Sequence, residues 1–200
     1  ALFSLVVLFS SFIYSFFYYG GLSSRIVQEI FAVAAVIVIA PSLALSGITY
    51  FWDFADRHIV YRKALGVLGL ELGLVHIVIS WYRTGITVPS DLASPYNIAI
   101  TSGLFAAFFF LLMPATSNMF AVKRLGGRIV RLCLRYFGYT AYLLVLLHMW
   151  ILLSDTWILW FQTKETLLLP PSLLAFIIGI GTILLRIVLF FALLKKKAQA

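Results

Sequence analysis

The chain has 200 residues, 63% of them hydrophobic and only 11% charged, with a net charge of +8 and a mean hydropathy of +1.06. A soluble domain is about half apolar and a quarter charged, and buries only about two-thirds of its surface at this size, so a water-soluble fold is excluded. The single cysteine, Cys133, excludes an internal disulfide and any cysteine-built metal or iron–sulfur site, and the basic excess fits loops at a lipid surface rather than nucleic acid.

A membrane-spanning helix needs roughly 20 apolar residues, and the chain offers six such stretches, at about 1–19, 26–50, 63–83, 96–115, 134–155 and 170–194. The breaks between them have turn chemistry: Gly20-Gly21, the stretch from Arg83 to Pro95, Gly126-Gly127, and Pro170-Pro171 opening the last helix. Pro41 falls inside the second span and is expected to kink it, which membrane helices tolerate. The opening stretch has no Met and no basic leader, so it reads as a span whose leading residues lie outside this numbering. No internal repeat and no soluble domain is visible. The expected fold is all-α, a single six-helix membrane bundle over 1–200.

Basic residues set the expected direction. Arg57, Arg62, Lys63, Lys123, Arg124, Arg128, Arg131, Arg135 and Lys195 to Lys197 fall on one side, against Arg25, Arg83 and Lys164 on the other. The positive-inside rule then puts both termini on the cytoplasmic side, or its equivalent in an organelle inner membrane. Spans three and five run from inside to outside.

On these two parallel spans lie two histidines. His76 is thirteen residues after Lys63 and seven before Arg83; His148 is thirteen after Arg135 and seven before Asp155. Both therefore sit about 20 Å above the cytoplasmic edge, in the outer half of a hydrocarbon layer about 30 Å thick. Two imidazoles at one depth can face each other across a gap, which is what a flat macrocycle with central iron requires. Alternatively, each could simply hydrogen-bond to a neighbouring helix. Zinc asks for three or four ligands, and no third His or Cys shares this depth. His58 sits among charges in a cytoplasmic loop.

At these residues the chain resembles a known family. "YRKALGVLGLELGLVHIVISWY" (61–82) and "TSNMFAVKRLGGRIVRLCLRYFGYTAYLLVLLHMWIL" (116–152) are similar to segments of the ferric-reductase-like transmembrane family, closest to its YedZ/MsrQ haem-binding subunits. The resemblance implies a six-helix bundle binding haem b, with electrons passing between quinol or flavin and a partner redox protein. It also implies what is missing. The family's second haem ligand in span five falls on Arg135, its counterpart in span three on Lys63, and "GLSSRIVQE" has no histidine. One haem is expected, with His76 and His148 as its iron ligands.

Tyr82 and Arg83, one to two turns outward of His76, are candidate anchors for a haem propionate; they also suit ordinary interfacial residues. The leading expectation is a b-type cytochrome working with a partner redox protein or quinone. The main alternative is a haem-poor accessory subunit of a larger membrane complex. A transporter using Glu71 and Arg186 as a polar pathway is a third reading, although without the paired broken helices of such folds. Glu71 and Arg186 both lie about 12–14 Å from the cytoplasmic edge and, being costly alone in lipid, are expected to pair. With the haem roughly 20 Å from the cytoplasm, donor and acceptor are expected to reach it from the outer side or the membrane plane.

Overall fold

In lipid every backbone amide must be satisfied inside the segment, so apolar runs become helices. The structure, a computed structural model, describes residues 2–85, 94–164 and 166–199. Its helices are α1 (Leu2–Tyr19), α2 (Ser24–Phe51), α3 (Arg62–Thr84), α4 (Pro95–Thr116), the short α5 (Met119–Leu125), α6 (Gly127–Thr163) and α7 (Pro171–Ala198), with a 3-10 segment, Asp53–Tyr61, before α3. The described residues contain no strand. Six helices are long and apolar enough to cross a membrane. The chain is an all-α, multi-pass integral membrane protein. Ala1 and most of the link expected between Arg83 and Pro95 lie outside the described residues.

The helices start where local chemistry supplies their first acceptors. Ser23 Oγ accepts from the amide of Ile26, Ser94 Oγ from Asn97, and Asn118 Oδ1 from Ala121. Gly85, at φ 60°, closes α3 in the left-handed conformation that favours glycine. α6 has 37 residues rather than the 22 of the expected span 134–155. Hydropathy marks only its apolar middle, whereas the backbone ladder continues through Arg128 and Arg131 at one end and Thr163 at the other. α2 continues through Pro41.

α2 is the central helix. Its small and β-branched run, Val33 to Ala40, lets neighbours approach from several sides, and it packs on α1, α3 and α7. A core of Val36, Ile39, Leu43, Tyr142, Leu146 and Leu173 joins α2, α6 and α7. Gly69 is where α3 meets α2: a Cβ there would run into the Ile39 side chain.

An internal repeat, not visible in the sequence, emerges from this packing. α2 packs most extensively on α3, and α4 on α6, so the bundle centre is two helical hairpins side by side. Their registers correspond. Each first helix begins on a capping serine, Ser23 or Ser94, and each second helix carries one histidine. Matched positions of the two hairpins stand at a nearly constant offset in the chain, so the second hairpin repeats the register of the first. α1 packs on the α2–α3 hairpin, whereas α7 packs on α2 and also reaches α6.

Candidate functional site

Between the hairpins lies a cavity of about 420 Å³, within the range of small-molecule and cofactor sites, roughly 300–1,000 Å³. His76 and His148 both line it. His76 Nδ1 donates to the carbonyl of Gln28 at 3.0 Å, and His148 Nδ1 to the carbonyl of Ala99 at 2.7 Å. These acceptors lie 48 residues before one histidine and 49 before the other, each in the second turn of a helix starting at the same end of the bundle. The two imidazoles are therefore level.

The hydrogen bonds also fix the tautomer. A carbonyl can only accept, so Nδ1 carries the hydrogen and the neutral ring keeps its lone pair on Nε2. Orienting a ligating imidazole through its other nitrogen is the usual arrangement around a bound metal. The bland role, a bond to a neighbouring helix, is thus satisfied at Nδ1 and leaves Nε2 available for coordination.

The walls repeat as the hairpins do. Along α2 and α4 the cavity is lined by Arg25 and Tyr96, Glu29 and Ile100, Ala32 and Gly103, Val33 and Leu104, Ala35 and Ala106, Val36 and Ala107, Ile39 and Phe110, at one constant displacement in the chain. On α3 and α6 the matching pairs include Gly73 and Val145, Ile77 and Met149, and Ser80 and Leu152. Small residues at Ala32, Ala35, Gly73, Gly103 and Ala106 open a mainly apolar slot. Gly103 is essential to it, since a Cβ there would sit 2.9 Å from His148 Nδ1.

Polar groups gather at the end where α3 finishes. Arg83 donates to Gln28 Oε1, Tyr19 OH to Glu29 Oε2 at 2.8 Å, and Trp157 Nε1 to Ser172 Oγ at 3.2 Å. Toward the other end the space between the hairpins is filled. Tyr142 is fully buried with its hydroxyl on the Val36 carbonyl, Tyr139 bonds to the Leu43 carbonyl, and Met113 lies against Gly138.

One expectation narrows and another needs correction. Tyr82 is 93% exposed and does not line the cavity as Arg83 does, because adjacent residues point about 100° apart on a helix; its place suits an ordinary interfacial residue. The residue that joins Arg83 is Arg25, read from sequence only as a loop charge. Nor do Glu71 and Arg186 pair. Glu71 is on the exposed face of α3, while the Arg186 guanidinium lies over the Tyr139 ring, 5.1 Å from its centroid. A polar pathway through those two residues is thereby removed. His58 accepts a hydrogen bond from its neighbour Arg57, far from the cavity in sequence and exposed. Among the described residues no group of three or more His, Cys, Asp or Glu side chains is arranged to hold a bare metal ion.

A scan against protein-family models and a search of curated proteins return no match to this chain.

Proposed function

We propose that the chain is a membrane-embedded b-type cytochrome that carries electrons through one haem, held between His76 and His148 near the outer side of the bilayer. The observation that carries this reading is the level pair of imidazoles lining one cavity, each with Nδ1 tied to a backbone carbonyl and Nε2 free to ligate. Bound haem would supply reversible one-electron chemistry, and His76 and His148 are the residues that would hold its iron, a ligand pair that would favour electron transfer over oxygen binding. The chain's own contributions are to orient the two rings, to exclude water with the apolar walls, and to place the site near one face. About one turn along α6 from Arg135, Gly138 is packed by Met113 and Leu43, and Tyr139 bonds to the Leu43 carbonyl, which favours one haem over two.

Donor and acceptor, a quinol or the redox centre of a partner protein, then meet the haem from the outer side or from the membrane plane. The test is a reduced-minus-oxidised spectrum with a pyridine haemochrome assay, expected to give about one low-spin haem per chain. Chains sealed in oriented vesicles should be reduced by an impermeant reductant added at the outer face. A haem-free preparation from haem-replete cells would instead favour an accessory subunit, and fast reduction from the cytoplasmic face alone would refute the direction.

A further inference from the structure

The two halves of the cavity match in shape but not in charge, and the mismatch is confined to one end. On the α2–α3 hairpin Arg25 lines the cavity one turn before Gln28, and Arg83 lines it two turns after His76. Their counterparts on the α4–α6 hairpin are Tyr96, which is neutral, and Asp155, which is acidic and exposed. Arg83 is held in place by Gln28, whose backbone carbonyl holds the His76 ring. One residue thus aligns a cation with an imidazole. Arg25 and Arg83 come from different helices, α2 and α3, and both line the cavity, as Gln28 does.

The cavity is mainly apolar, and one edge carries two arginines beside Glu29, whose carboxylate already accepts from Tyr19; two cations there suit a flat apolar ligand with two carboxylates on that edge. Protohaem has that form, its two propionates side by side on an otherwise hydrocarbon rim. Arginine binds carboxylates through paired N–H groups, with charge-assisted bonds stronger than neutral ones. We infer that Arg25 and Arg83 each bind one propionate of the haem, and that together they fix which edge of the macrocycle faces the bundle's polar end. The assignment rests on the haem reading above. Arg25 and Arg83 act on the ligand's orientation and retention, and the axial bonds remain with the histidines.

The experiment compares protohaem with its dimethyl ester, which keeps the porphyrin and iron and loses both negative charges. Full-length apo-chain in detergent is titrated with each, and the low-spin spectrum reports binding. Wild type is expected to favour the free acid by at least about tenfold, the equivalent of roughly 1.4 kcal/mol. The double variant Arg25→Gln, Arg83→Gln should bind both forms alike, with the ester still giving a bis-imidazole spectrum. Asp155→Asn, at the counterpart of Arg83, should keep the wild-type preference. Equal binding of acid and ester by wild type, or a preference that survives in the double variant, overturns the assignment. Failure of wild type to give a low-spin spectrum with either form overturns the haem reading itself, and this assignment with it.

Discussion

Replacing His148 by alanine is expected to abolish the low-spin haem spectrum, because His76 alone leaves one face of the iron without a protein ligand. His76→Ala should do the same from the other face. The equivalence follows from the geometry, in which each ring is held by one carbonyl on a matching helix and neither has the better position. A folding defect could imitate this result, so added imidazole serves as the second measurement. In His148→Ala the vacated space beside Gly103 can admit it, and imidazole should restore the low-spin bands. A variant with the wild-type spectrum would remove His148 from the iron. A well-folded variant that still holds haem yet ignores imidazole would also count against the site.

The second large effect is steric. Gly103→Val should cut haem occupancy about tenfold or more, even though residue 103 carries no ligand atom. A Cβ at this position would stand 2.9 Å from Nδ1 and 3.1 Å from Cε1 of His148, so the ring must leave its place and lose the Ala99 carbonyl. Overpacking of this kind typically costs about 1–3 kcal/mol, and valine is stiff about χ1 and unable to turn aside. Gly181→Val is the control, since nothing lies within 4 Å of a Cβ built there. Both variants should keep their helical circular dichroism, and only the first should lose haem. Equal occupancy in the two would show that the ring does not need the space Gly103 leaves.

The spans were legible because a backbone in lipid has almost no alternative to the helix. The depth of the histidines was legible too, through Lys63 and Arg135 at equal distances behind them. Phase around the helix was not. Tyr82 and Arg83 differ by one residue, and only packing decides which faces inward. Glu71 was assigned a partner by depth alone, although α7, which carries Arg186, packs on α2, α6 and α1. The repeat escaped notice because matched positions share a place and not a residue type: Arg25 with Tyr96, Glu29 with Ile100, Arg83 with Asp155. Ser23 and Ser94, with Gly66 and Gly138, were its faint trace. Arg25 could have been found from that register, three residues before the carbonyl that holds His76.

The two walls of the cavity carry matched positions, whereas protohaem, the ligand proposed above, has two unlike sides. Turning it over about the line between its propionates exchanges vinyl groups for methyls on the two sides, while iron, ring and carboxylates return to their places. Val33 opposite Leu104, Ala35 opposite Ala106 and Val36 opposite Ala107 offer similar surfaces to either arrangement. If the slot holds haem as proposed, two rotational isomers are expected in comparable amounts, read as doubled ring-methyl resonances in the ferric state. Ile39 and Phe110 are the least alike of the apolar pairs. If a single isomer forms, they are the residues that choose it.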